Sequence, residues 1–410
     1  MLPLSASAIA SRLNSALNFI TPKRVVILAA LALTLEIGFI AAGRSPIDGG
    51  TVSYSKPRSD FVSYYAAGSL ALKGKPEDAY RRPAHYAEEL RVAKHKIGYN
   101  YFYYPPIFLM LCALFALVPY IPALFSFQAV SLTALLLVAR ATLRTRSWLV
   151  LLPLAAFPTI FWNFYTGQNA YLTAALFGGA LLALRKNPIA AGILFGALCY
   201  KPHLGLLIPV ALAAGHYWRA FFSATATVAA LVLLSIALFG WGTWQEYFTA
   251  AAGSKVVYEG GHVYMLGFTN PFGFIRAFRG DLNFAYAAQA LTIVLTALWV
   301  ALIWRSKVSF AVKAATLAAA IPIAAPVSLF YELLLGAIGL AWLVSERRSG
   351  PFPLWKKLTL IFFVAAALLS GNMGKWWPLP MPFIAASGFF AIVAVYGWRE
   401  MRRTHSQAVA

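Results

Sequence analysis

Apolar runs near the length of a membrane crossing recur from one end of this 410-residue chain to the other, at 25–42, 105–119, 121–139, 148–164, 169–184, 188–200, 203–215, 220–240, 282–304, 309–323, 326–344, 358–371 and 379–398. A helix needs about twenty apolar residues to cross a hydrocarbon core of roughly 30 Å, so such a chain has lipid as its solvent. The composition agrees: 60% of residues are hydrophobic and 11% charged, where soluble proteins carry about a quarter charged. The expected fold is all-α, a polytopic integral membrane protein of about twelve (11–13) helices forming one domain over 1–410. The first twenty residues are amphipathic and Ser-rich, and the first strong run has spanning length, so no cleavable signal peptide is expected.

The net charge of +21 would suit nucleic acid if it lay along one face. Instead the basic residues form short clusters beside apolar runs, the pattern of membrane orientation, and no nucleic-acid partner is expected. Cys112 and Cys199 fall inside apolar runs and read as packing residues. Arg12, Lys23 and Arg24 precede the first run and place the N-terminus inside. The clusters Arg140/Arg144/Arg146, Arg185/Lys186, Arg219, Arg305/Lys307, Arg347/Arg348/Lys356/Lys357 and Arg399/Arg402/Arg403 can share that side only if 105–139 crosses an odd number of times. One of its two pieces, broken at Pro119-Tyr120-Ile121-Pro122, is therefore expected to be partial or re-entrant. Both termini then lie inside, and Asp60, Gln168/Asn169, Lys201/His203, the stretch 241–281, Tyr331/Glu332 and Asn372/Lys375 collect outside.

The longest polar segment, 44–104, becomes the first outer loop. With Pro105 and Pro106 it holds six of the thirteen acids: Asp48, Asp60, Glu77, Asp78, Glu88 and Glu89. It reads as two short helices lying on the membrane, one starting at Ser59-Asp60-Phe61 and ending before Gly74, the other over Pro83 to Lys96. The aromatic run Tyr99 to Tyr104 marks re-entry at the interface. The second outer loop is 241–281, with Glu259-Gly260-Gly261-His262 expected to be mobile.

Several polar groups stand out as candidates for chemistry. Asp60 either complements a helix N-terminus behind a Ser59 cap or faces a lipid-borne substrate at the membrane surface. Lys201-Pro202-His203 interrupts an apolar hairpin, where a cation is costly unless it meets water or an anion; it is either a snorkelling turn or a phosphate seat. Gly167-Gln168-Asn169 forms another outer turn. Glu332, beside Tyr331, and the more isolated Glu36 are acids within predicted spans. His262, Tyr264, Asn270 and Arg276 lie in the second outer loop. No phosphate-binding Gly loop, zinc spacing or nucleophile elbow occurs, and neither a metal nor a cofactor is expected.

Four stretches in register, Ser59-Asp60-Phe61 with Tyr64-Tyr65-Ala66-Ala67-Gly68, Tyr104-Pro105-Pro106-Ile107-Phe108, Gly167-Gln168-Asn169 and Tyr200-Lys201-Pro202-His203-Leu204-Gly205, resemble glycosyltransferase family 87. That resemblance covers roughly residues 55–345. It implies a GT-C-like, mannosyltransferase-like enzyme of the bacterial inner membrane. Such an enzyme takes a sugar from a polyprenyl-phosphate donor and gives it to a lipid or glycan acceptor on the periplasmic side, with inversion. It implies Asp60 as the acid at the reaction centre and Lys201, with His203, at the donor phosphate. Tyr64, Tyr104, Gln168, Asn169, His262, Asn270 and Tyr331 are the expected substrate-binding residues. The chain departs from the family before its late helix, where Ala325-Pro326-Val327-Ser328-Leu329-Phe330-Tyr331-Glu332 has no His and places Phe330 at the first acid position. Glu332 is the acid left there, and the division of labour between it and Asp60 stays open, as does the sugar, since mannosyl and arabinofuranosyl transfer both occur in the family. The alternatives are a secondary transporter or lipid flippase, against which no internal repeat is visible, and a non-catalytic envelope scaffold.

Overall fold

A computed structural model describes residues 21–42, 60–260, 263–346, 354–370 and 379–409, and among these the regular elements are helical. In chain order they are α1 (Pro22–Ala41), α2 (Phe61–Leu72), α3 (Arg82–Ala93), α4 (Pro106–Phe115) and α5 (Tyr120–Leu143). A bent pair follows, Trp148–Ala155 with α6 (Pro158–Thr166), then α7 (Ala170–Ala183), α8 (Pro188–Ala197) and α9 (Ile208–Ala214). The remainder comprises α10 (Trp218–Glu259), α11 (Pro271–Ala277), α12 (Leu282–Arg305), α13 (Phe310–Ala324), α14 (Leu334–Ser345), α15 (Leu354–Leu368) and α16 (Met381–Val409). Proline opens α4, α6, α8 and α11, where its fixed φ is already helical and its missing N–H costs nothing.

Among the described residues, α5, α10, α12 and Met381–Thr404 of α16 are long and apolar enough to cross a membrane; the pair bent by 63° makes a fifth if it counts as one span. Their outward faces carry exposed Val130, Leu137, Leu233, Leu295 and Leu298, apolar surface that suits lipid. The other apolar helices have 10–17 residues. Helix length alone therefore supports fewer spans than the apolar runs suggest.

The segment 105–139 shows why. Ten residues of α4 rise about 15 Å, half a hydrocarbon core. Near its start Phe108 packs on Tyr64 at 5.2 Å, and at its end Phe115 packs on Phe61 at 5.2 Å, so both ends meet the same short helix α2. The chain doubles back at Pro119, and Tyr120 at the head of α5 also packs on Phe61, at 5.5 Å. Only α5 has spanning length here.

Helix α2 is a core element and not the surface helix its position in a polar loop suggested. Nine of its twelve residues are buried. Ala66, Ala67 and Gly68 allow this, since a Cβ at Gly68 would stand 1.9 Å from the backbone oxygen of Cys112 on α4. Gly68→Ala is expected to cost about 3 kcal/mol through overpacking, read as a lower melting temperature of the purified protein in detergent. An unchanged melt would show that α2 and α4 do not approach this closely.

Helix α3 is tied to α2 by Glu88, which accepts hydrogen bonds from Ser69 Oγ (2.6 Å), Lys73 Nζ (2.7 Å) and Arg91 Nη2 (2.6 Å). Burial pushes this carboxyl up, but the hydrogen bonds from Arg91, Lys73 and Ser69 outweigh it and hold the pKa down at about 2. A carboxyl held below its unfolded value of about 4.3 contributes stability that is whole above that pH and is lost as pH falls towards 2. Glu88→Gln is therefore predicted to cost about 1–2 kcal/mol at pH 7. Thermal melts across pH should show the gap to wild type closing on acidification; a gap independent of pH would refute the account.

The stretch 241–259 is helical, where an outer loop was expected. It continues α10 beyond Gly240, whose φ of 80° and ψ of 161° suit only glycine and turn the helix aside. The bent arm lies against the residues that precede α3 and α4. Arg81 Nη2 meets Glu246 at 2.6 Å, and Tyr80 and Tyr103 pack on Tyr247 and Tyr258 at 5.8 and 6.5 Å.

Candidate active site

Asp60 occupies the N-cap position of α2, yet its side chain caps nothing; Ser59 lies outside the described residues. Its backbone N–H donates to Thr166 O at 2.8 Å, joining the start of α2 to the end of α6. That junction brings Gln168 to the carboxylate, and Gln168 Nε2 donates to Asp60 Oδ2 at 2.6 Å. Tyr64, one turn along α2, donates its hydroxyl to Gln168 Oε1 at 2.7 Å. With that proton committed, the 3.0 Å contact between the Tyr64 and Tyr104 hydroxyls has Tyr104 as donor, and Asn169 Nδ2 reaches Tyr64 at 3.5 Å. The chain Tyr104, Tyr64, Gln168, Asp60 thus points every donor towards the carboxylate, an arrangement in which each bond polarises the next. Burial nevertheless raises the Asp60 pKa, against the lowering pull of Gln168, so Asp60 is a stronger base than an exposed aspartate.

Gln168 and Asn169 are held from behind by polar residues that sequence reasoning passed over. Gln128 Nε2 donates to Gln168 O at 2.9 Å, Asn163 Nδ2 to Gln128 Oε1 at 3.0 Å, and Ala170 N to Asn163 Oδ1 at 2.8 Å. Their signal was available, since an amide inside an apolar run is expensive unless it is partnered. His85 and Glu89 were missed too. His85 Nε2 faces Ser63 O at 3.1 Å in the first turn of α2, and its Nδ1 lies 4.0 Å from Glu89 Oε1. Burial pushes Glu89 up to about 8 and His85 down to about 4, disfavouring the charged form of each, and neither His85 Nδ1 nor Glu89 Oε1 has a hydrogen-bond partner among the described residues.

Lys201 and Glu332 form a buried ion pair across the same end of the bundle. Lys201 sits where α8 gives way to a 3-10 turn, and Glu332 in a 3-10 turn before α14. The Lys201 ammonium lies 5.4 Å from the centre of the Tyr331 ring. Tyr331 is within electrostatic reach of Tyr104, Glu332 and Asp60, and Tyr104 of Lys201. Tyr200 stacks on Phe108 at 5.1 Å and bonds to Thr173 at 2.7 Å, which fixes the backbone on the N-terminal side of Lys201. Two buried acceptors of this cluster, Glu332 Oε2 and Asn169 Oδ1, have no hydrogen-bond partner among the described residues. A site lined by a carboxylate, two hydroxyls and a fixed cation can hold a polyol beside an anion.

The other expected site residues stand apart. Asn270 is buried with its hydrogen-bonding capacity spent locally: Oδ1 caps α11 at Gly273 N (2.9 Å), and Nδ2 donates to the carbonyls of Ala325 (2.8 Å) and Pro326 (2.9 Å). These carbonyls are orphaned where α13 ends, so Asn270 shapes the turn that leads to Glu332. His203 is half-buried, two residues beyond Lys201, with no hydrogen bond among the described residues. His262, Asn372 and Lys375 lie outside the described residues.

The sequence profile of glycosyltransferase family 87 matches residues 102–329. The match contains Tyr104, Gln168, Asn169 and Lys201, begins after Asp60 and Tyr64, and stops just before Tyr331 and Glu332. No curated protein and no solved structure matches the chain.

Proposed function

The chain belongs to glycosyltransferase family 87 and is a membrane glycosyltransferase, and we propose that it moves a sugar from a polyprenyl-phosphate donor to a lipid or glycan acceptor at the outer face of the inner membrane. The observation that carries this reading is the convergence, at one end of the bundle, of the hydrogen-bonded Asp60 with the buried Lys201–Glu332 pair. About twelve crossings with both termini inside would place that end in the periplasm, in keeping with the basic clusters at the other end.

In this mechanism the acceptor hydroxyl attacks the anomeric carbon as the bond from that carbon to the donor phosphate oxygen breaks. The electron pair leaves with the phosphate, and the hydroxyl proton passes to Asp60. A single displacement inverts the anomeric centre. Lys201 neutralises the charge that grows on the phosphate, which stabilises the transition state more than the ground state. Glu332, already paired with Lys201, positions that cation, and Asp60 is assigned as the base. Tyr64, Tyr104 and Tyr331 line the sugar.

The test is transfer of radiolabelled sugar from a panel of polyprenyl-phosphate sugars by purified protein in detergent. One donor should be consumed with release of polyprenyl phosphate. Sugar transfer from a nucleotide sugar alone, with every lipid donor inert, would overturn the donor class.

A further inference from the structure

At the end of the bundle away from Asp60, a cavity of about 1110 Å³ opens between the C-terminal ends of α5, α7 and α14 and the N-terminus of α13. Helix α7 starts beside Asn169 and is fourteen residues long, so this cavity lies roughly 20 Å from the candidate active site. Its lining joins Arg144, Arg185 and Lys186 to the apolar surfaces of Phe310 and Trp342, with Glu346 as the one acid.

The three cations are placed by the ends of helices. Arg144 terminates α5 in the left-handed conformation, φ 51°, and Arg185 and Lys186 follow Leu184, the residue that caps α7. None of the three pairs with a carboxylate among the described residues. Arg185 instead lies over the Phe310 ring at 5.8 Å. Glu346 accepts a hydrogen bond from Tyr396 at 3.3 Å. The N-terminus of α13, capped by Ser309, lies in the same wall, but Glu400 Oε1 already accepts from Ser309 N at 2.7 Å, so the side-chain cations carry the positive charge there.

We propose that this cavity binds the phosphodiester headgroup of an anionic membrane phospholipid, with its acyl chains against the Phe310 and Trp342 wall. Uncompensated cations between helix ends are a seat for phosphate. The apolar side chains among the lining, Leu181, Leu182, Phe310 and Trp342, favour a lipid over a soluble anion. Close by, Arg140 stacks on Trp148 at 4.2 Å, a pairing suited to headgroup depth. The site is separate from the sugar-transfer cluster, so its test does not depend on the donor assignment.

The full-length protein, delipidated in detergent, would be titrated with phosphatidylglycerol, phosphatidylcholine or inorganic phosphate and followed by native mass spectrometry and thermal melting. One saturable phosphatidylglycerol adduct is expected, bound at least about tenfold more tightly than phosphatidylcholine. Arg144→Gln and Lys186→Gln should each weaken it about fivefold, while Arg279→Gln at the other end leaves it unchanged. Should Arg144→Gln fail to fold, the exposed Lys186 carries the test alone. Equal affinity for the two lipids, or undiminished binding by Lys186→Gln, overturns the proposal. Full displacement of the lipid by inorganic phosphate would replace it with a soluble-anion site.

Discussion

Sugar transfer by an Asp60→Asn variant is expected to fall by at least about a hundredfold, the usual loss when a general base is removed, while the protein accumulates and melts as wild type does. The second half of this expectation follows from burial. The Asp60 carboxylate already meets an environment that disfavours charge, so a neutral amide of the same shape is no harder to bury, and its oxygen can still accept the hydrogen bond from Gln168 Nε2. The acid limb of kcat/KM in the wild type should lie above the ordinary aspartate range near 3.9, because the base form is lost as pH falls through a raised pKa. Normal transfer by folded Asp60→Asn would remove Asp60 from the chemistry and leave Glu332 as the remaining acid of the cluster.

Glu332→Ala is predicted to have the largest effect on stability. It leaves the Lys201 ammonium, 3% exposed, without its carboxylate partner and with the Tyr331 ring 5.4 Å away. Breaking one side of a buried ion pair typically costs about 3–5 kcal/mol, enough to abolish accumulation of a marginally stable protein. The double variant Lys201→Met/Glu332→Leu removes both charges and should recover most of that stability. Its transfer activity should stay lost, because the donor phosphate has no fixed cation. Comparing melting temperature with turnover across the single and double variants separates the structural role of the pair from the catalytic one. Recovery of both together would show that Lys201 has no part in holding the phosphate.

Much of the bundle is legible in the sequence because lipid allows few solutions. Apolar runs such as 188–200 and 282–304 correspond to helices within a few residues, and the charge parity around 105–139 anticipates a piece too short to cross. The bent arm 241–259 escaped notice because its surface mixes aromatic and polar side chains, which carries no strong apolar run. For α2, the sequence gives an apolar helix inside a polar loop, but only the close fit of Gly68 on α4 reveals that it is buried. The cluster shows the same divide. Asp60, Gln168 and Lys201 stand out as polar residues in costly places, whereas their partners do not. Nothing local pairs Lys201 with Glu332, and nothing local shows that Asn270 is occupied by the carbonyls of the turn it supports. Long-range pairing is a property of the packed helices, and a single chain of letters does not record it.

The ion pair also sets a condition on biogenesis. Lys201 is synthesised 131 residues before Glu332, so the α8–α9 hairpin is made before its partner acid exists. A lysine between apolar helices is costly until it meets water or an anion, so the nascent hairpin must keep Lys201 at the aqueous surface until α14 arrives. Chains ending before Glu332 therefore retain in their hairpin a charge that only the longer chain can pair.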